Sequence, residues 1–200
     1  MKKVLAIGAH FDDIEIGCAG TLLQHSINGD EIHFSVLNAN EEKTGSINDR
    51  FREQTGSLSE FNIDFCNLII FNGFKLYHDY EIINRLDELK PDIIYIPWEK
   101  DSHQDHRRCF EVGMSVGRKR YITTLMYHCG SSIDFIPNLF NIIDWKKKLK
   151  ILNMFETQIH HGAINIDIIK AKERYFATLI SDKEYEYAEG FVSRKMRYSV

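Results

Sequence analysis

The 200-residue sequence predicts an α/β fold: a single Rossmann-like domain over residues 1–200, with a mainly parallel sheet in an order of about 3-2-1-4-5, flanked by helices. Three observations carry this reading. Short apolar runs with the length of strands buried on both faces recur along the chain. Helical segments separate them, and this alternation implies parallel strands with right-handed crossovers. No internal repeat or low-complexity linker divides the chain.

The first run, Val4-Leu5-Ala6-Ile7, stops at Gly8-Ala9, and a helix follows in which Ile14, Ile16, Ala19, Leu22 and Leu23 recur at roughly helical spacing. Gly17, Cys18, Ala19 and Gly20 are small enough for close packing. After the turn at Asn28-Gly29-Asp30, residues 31–37 read as a second strand, and residues 38–48 as a polar loop. Residues 50–61 can form a helix, although Gly56 weakens it by ~1 kcal/mol relative to alanine. Residues 67–71 are a third strand. In residues 80–89, Ile82, Ile83, Leu86 and Leu89 share a helix face. Pro91 ends that helix, and residues 92–97 form a strongly apolar fourth strand. A helix is expected over residues 107–116 and a strand over 123–128. An irregular stretch at 130–137 precedes helices at 145–156 and 166–179. A last strand over residues 188–194 closes the chain.

Composition excludes several classes. A net charge of −4 and the lack of a long basic block give no electrostatic case for nucleic acid. Lys146-Lys147-Lys148 with Lys150 reads as a solvated helix face. The four cysteines, Cys18, Cys66, Cys109 and Cys129, form no CxxC pair, which argues against a zinc ribbon or disulfide scaffold. No window reaches the ~18 apolar residues of a spanning helix, so no membrane insertion is expected. The N-terminal apolar run is too short for a secretory signal, and a cytoplasmic location is expected.

Chemistry concentrates in two places: His10, Asp12 and Asp13 follow the first strand, and His103, Asp105 and His106 follow the fourth. In a 3-2-1-4-5 sheet these strands are neighbours and their loops meet at the switch point, where such folds bind ligands. Two adjacent carboxylates would repel phosphate, whereas histidine with aspartate suits a cation such as Zn2+. A catalytic zinc takes three protein ligands and leaves a fourth position to water. His10, Asp13 and one histidine of the second loop meet that requirement, and spacing leaves open whether it is His103 or His106. The remaining carboxylate and imidazole suit a general base and a general acid, with Asp105 orienting a histidine.

The first stretch, AHFDDIEIGCAGTL, resembles the AHPDDIELGCGGTL signature of the PIG-L/LmbE-like zinc-dependent N-deacetylase superfamily, and SHQDH resembles its HxDH motif. Thr44-Gly45, Arg52-Glu53, Phe135-Ile136-Pro137-Asn138, Thr157-Gln158 and Tyr187-Ala188-Glu189-Gly190-Phe191 resemble further family positions. The resemblance implies His10, Asp13 and His106 as metal ligands. It makes Asp12 the general base, His103 the acid that polarises the carbonyl and protonates the amine, and Asp105 the partner of His103. Phe11 stands in place of the family proline and brings a large apolar side chain near the site. Ala19 replaces one glycine.

The implied reaction removes acetyl from an N-acetylglucosamine-type sugar or conjugate through a zinc-bound water, with Fe2+ or another divalent ion as alternative metals. Two alternatives are hydrolysis of another small amide or acetyl ester, and metal-dependent carbohydrate binding without turnover. Arg52, Tyr127 and His128 are the candidate substrate-binding residues. Tyr95, Trp98 and Tyr127 either stack on a sugar or pack in the core. His25 and His78 read as surface residues, and His160-His161 as an exposed pair. Oligomeric state is open, a homo-oligomer included.

Overall fold

The first apolar run becomes β1 (Lys3–Gly8), an interior strand of one sheet. It pairs in parallel with β2 (Glu31–Val36) on one side and β4 (Ile93–Pro97) on the other. β3 (Cys66–Ile70) extends the sheet beyond β2, and β5 (Thr123–Tyr127) beyond β4, both parallel. The predicted 3-2-1-4-5 order is therefore present. The computed structural model describes residues 1–40, 45–61, 66–74, 79–118, 120, 122–180 and 186–196. Thr44 and His78 lie outside them.

The strand period of two divides β1 between two cores. Val4 and Ala6 join Phe34, Tyr95 and α1 (Asp13–Ile27) on one face. Leu5 and Ile7 join Ile94, Ile96 and Met126 on the other, with α3 (Asp79–Asp87) and α4 (Gln104–Ser115). Burial on both faces explains why these runs are continuously apolar rather than alternating. α2 (Ile47–Leu58), α5 (Trp145–Leu152), α6 (Glu156–His160) and α7 (Ile166–Leu179) complete the helices. Among the described residues no helix is long and apolar enough to cross a membrane. Cys18, Cys109 and Cys129 are buried free thiols, and Cys66 is half-buried.

Three departures from the sequence reading bear on the site. First, the sheet has seven strands in the order β3-β2-β1-β4-β5-β7-β6. β7 (Ala188–Lys195) runs antiparallel between β5 and β6 (Leu139–Ile142), and β6 is an edge strand too short and too polar at Asn141 to stand out. Second, the helix expected at 145–156 divides at residues 153–155 into α5 and α6. Third, α4 begins at Gln104, three residues earlier than expected, with His103 as its N-cap. His25 is also no surface residue: its Nδ1 lies 2.8 Å from Asp30 Oδ2 and its Nε2 3.0 Å from Tyr95 Oη.

Candidate active site

β1 and β4 are adjacent, so the turns that leave their C-terminal ends face each other. A cavity of about 400 Å3 opens there, with His10, Asp12, Asp13, Arg50, His103 and His106 in its lining. The six residues expected to carry chemistry are thus brought together, although Asp105 stands behind the lining. The imidazoles of His103 and His106 stack with ring centroids 4.9 Å apart, and His10 meets His103 edge-on at 4.8 Å.

The turn after β1 is backbone-strained. Asp12 sits at φ 103, in left-handed space, at a typical cost of about 1–3 kcal/mol that the surroundings must offset. One compensation is close by: Asp13 Oδ2 accepts the backbone N–H of Ala9 at 2.9 Å and of His10 at 2.8 Å. This leaves Asp13 Oδ1 facing His106 Nε2 at 3.2 Å. Burial pushes the Asp13 carboxyl up, but His106 and His10 overcome it and hold the group well below the usual range. Asp12 has the opposite balance. Burial, then the charge of Asp13, raises it well above the usual range, against the pull of Arg50. Two neighbouring carboxylates with divergent proton affinities are the signature of divided acid–base roles.

His106 is held from behind. Its Nδ1 lies 3.1 Å from Asp101 Oδ1 and 3.1 Å from Ser131 Oγ. A carboxylate at Nδ1 fixes a proton there and leaves Nε2 as the atom to bind a cation. Burial lowers the proton affinity of His106, yet Asp13 and Asp101 raise it far more. His106 Nε2 and Asp13 Oδ1, 3.2 Å apart, thus converge as two donors of one cation would. Among the described residues two groups of ligand atoms converge, His10–His103–His106 and Asp13–His106–Cys129. His106 is common to both, and the expected set of His10, Asp13 and His106 is divided between them. The donors fit a borderline divalent metal.

Asp105 has a partner that the sequence did not indicate: its Oδ2 lies 3.0 Å from His10 Nε2 and accepts from Asn38 Nδ2 at 2.9 Å. The contact with His10 holds the Asp105 carboxyl down at about 2, with the charge of His103 contributing. The Asp105 backbone N–H donates to His103 Nδ1 at 3.2 Å.

The candidate substrate-binding residues are corrected. Arg52 points to solvent with its side chain 79% exposed and pairs with Asp49 at 2.6 Å. Residues two apart on a helix face nearly opposite ways, so Arg50 lines the cavity instead. Arg50 Nη2 donates to Phe11 O at 3.0 Å. Tyr127 is fully buried, its Oη donates to Ile7 O at 2.7 Å, and its ring fills the space where a Gly17 Cβ would lie 2.0 Å away. His128 rests edge-on against Phe135, outside the cavity lining. Tyr95 and Trp98 are core residues, and His160-His161 is exposed as expected. Phe11 packs with Val36 and Ala39 rather than into the cavity.

Sequence reasoning missed Asp101, Ser131 and Arg50. A signal for Arg50 was present: Arg50, Glu53, Gln54 and Ser57 follow i, i+3, i+4, i+7 spacing, and all four are buried. Gln54 and Ser57 hold Glu15, and Glu53 accepts from Thr157 N and Oγ1, both at 2.7 Å. Thr157 brings α6, with Gln158, to the wall of the cavity.

Residues 5–116 match the family described as GlcNAc-PI de-N-acetylase, PIG-L. The chain belongs to that family. A curated relative, the uncharacterized deacetylase YaiS of Escherichia coli K12, is 28% identical over 156 residues, 71% of this chain and 82% of its own. The N,N'-diacetylchitobiose deacetylase of Pyrococcus horikoshii superposes with a TM-score of 0.74 at 18% identity, covering 97% of this chain and 84% of its own. GalB, the 4-carboxy-2-hydroxymuconate hydratase of Pseudomonas putida KT2440, superposes with a TM-score of 0.79 at 16% identity, covering 100% and 99%. At these identities the solved structures establish the fold. The GlcNAc-PI de-N-acetylase fold thus also carries a hydratase, and the reaction must be argued from the site.

Proposed function

We propose that this chain is a metal-dependent hydrolase that removes the acetyl group from an N-acetylglucosamine-type sugar or conjugate, releasing acetate and an amine. The observation that carries the reading is geometric: Asp13 Oδ1 and His106 Nε2 converge at 3.2 Å as one group, and Asp12 and His103 line the same cavity as a second group. A binding protein has no use for the second group. His10, Asp13 and His106 would hold the ion, Zn2+ being the first expectation. Such an ion supplies Lewis-acid polarisation of the amide carbonyl and raises the acidity of water.

The chain's own residues do the rest. Asp12 takes the proton of the attacking water as its oxygen bonds to the carbonyl carbon. In its protonated form His103 donates a hydrogen bond through Nε2 to the developing oxyanion, transfers that single proton to the nitrogen as the C–N bond breaks, and regains one from Asp12. Asp105 orients His10, and Asp101 orients His106. The deacetylase name in the family and in the relatives supports an acetamide substrate.

The test is a panel of N-acetylated sugars and conjugates assayed for amine and acetate release, with metal content measured on the same sample. Equal amounts of amine and acetate from an acetamido sugar are expected. Release only from O-acetyl esters, or hydration of an unsaturated carboxylate without amine release, would overturn the proposal.

A further inference from the structure

Helix α1 is broken one turn beyond Asp13, and an ion pair from two distant elements fills the break. Cys18 departs from helical geometry, with φ −151 and ψ 15. In an unbroken helix the Gly20 N–H donates to Ile16 O. Here the Gly20 N–H donates to Glu189 Oε1 at 2.9 Å, and Ile16 O accepts from Lys148 Nζ at 2.9 Å. Lys148 Nζ in turn donates to that same Glu189 Oε1 at 2.6 Å. A continuous line of hydrogen bonds therefore runs from the carbonyl above the break, through two side chains, to the amide below it. Glu189 Oε2 accepts from the Thr21 N–H at 2.7 Å and from Thr21 Oγ1 at 2.6 Å. Insertion of side chains into the ladder is a recognised cause of a helix kink.

Both charges are fully removed from solvent. A buried ion pair is a poor source of stability, since apolar replacement is often neutral or better. An apolar pair, however, would take from the Ile16 carbonyl and the Gly20 and Thr21 amides the side-chain partners they have at the break. The pair is thus tied to the break rather than to the core in general. A third member, Glu173 of α7, also accepts from Lys148, but it makes no hydrogen bond to α1, and its Oε2 has no hydrogen-bond partner among the described residues.

The segment above the break carries the reacting groups. It begins at Asp12, includes Asp13, and presents Ile16 to the cavity. The segment below it is packed in the core through Leu22 and Leu23. We infer that Lys148 and Glu189 are positioning residues: by bridging the break they set the direction of the first turn of α1, and with it the placement of Asp12 and Asp13 against the histidines of α4. The inference rests on the roles proposed above for those two aspartates.

The experiment compares the full chain with Lys148→Met/Glu189→Gln, Lys148→Arg and Glu173→Gln. It measures thermal unfolding, Zn2+ affinity by competition with a chromogenic chelator, and kcat and KM for amine release. The folded double variant should bind Zn2+ ~10- to 100-fold more weakly and lose about 10²-fold in kcat, with KM within about twofold. Lys148→Arg should recover part of both losses. Glu173→Gln should move only the melting temperature. If the double variant does not fold, Glu189→Gln alone is read in the same way, because it keeps the side chain's shape and an oxygen for one of the two amides. Wild-type kcat and Zn2+ affinity in the folded variant overturn the inference, as does an equal loss in Glu173→Gln. If the wild type releases no amine from any acetamido sugar, the proposed function falls, and the Zn2+ measurement still decides this inference.

Discussion

His103 Nδ1 accepts the Asp105 backbone N–H at 3.2 Å, so the cap of α4 and the tautomer of His103 are set by a single contact. The same ring lines the cavity beside Asp12 and Asp13. His103→Ala should retain metal, lose most turnover and flatten the alkaline limb of the kcat/KM profile, which reports an essential acid. An unchanged alkaline limb would assign proton donation to another group.

Asp12 and Asp13 should separate cleanly. Asp12→Asn should keep metal near the wild-type level and lower turnover by ~10²-fold or more, the scale of general-base loss. Asp13→Asn should lower both, because its carboxylate faces His106 Nε2. Equal metal loss in the two variants, measured by elemental analysis, would remove the division of roles.

His106→Ala should abolish most metal binding. Asp101→Asn should weaken it ~10- to 100-fold without removing a ligand, since Asp101 acts through the Nδ1 of His106. Chelator competition checks both. Wild-type affinity in Asp101→Asn would mean that Ser131 suffices to orient the ring.

Arg52→Ala should leave kcat/KM within about twofold, as expected of an exposed pair. Arg50→Ala should lower kcat/KM, since Arg50 lines the cavity and holds the Phe11 carbonyl beside Asp12. Steady-state kinetics of the two variants distinguish these faces of α2.

A stability prediction follows from His128. Burial, with Lys172 adding to it, pulls its imidazole down to about 4. The unfolded chain, with a histidine value near ~6.5, binds a proton that the folded chain refuses between those two values. The stabilising contribution is therefore present above pH ~6.5 and is lost as pH falls toward 4, by roughly 3 kcal/mol at the limit. His128→Gln should flatten this part of the profile, as measured by urea unfolding at pH 7 and pH 4.5. The same acid loss in the variant would place the titrating group elsewhere.

The central strands were legible because burial on both faces leaves an uninterrupted apolar run, and the two loops because metal-capable side chains are dense there. β6 was not legible: its one polar position and its place at the sheet edge leave no period to read. Arg52 was chosen over Arg50 because a motif gives neighbours in sequence, whereas a helix sorts neighbours onto opposite faces. The contact of Asp105 with His10 was hidden for a related reason: the two are 95 positions apart, and only the pairing of β1 with β4 brings them together. Asp101 carries no mark in sequence, since its role depends on Ser131 and on the ring it supports.

The antiparallel β7 has a consequence for biosynthesis. β6 pairs only with β7, and Glu189 lies 169 positions from the Gly20 amide that it holds. On the ribosome the first turn of α1 emerges early, while the carboxylate that bridges its break emerges among the last residues of the sheet. The five parallel strands precede it in the chain, and the break in α1 gains its Glu189 contacts only once this late strand lies between β5 and β6. On the bridging role proposed for Lys148 and Glu189, a nascent chain that halts before residue 189 has the two loops of the cavity but lacks the carboxylate that spans the break in α1.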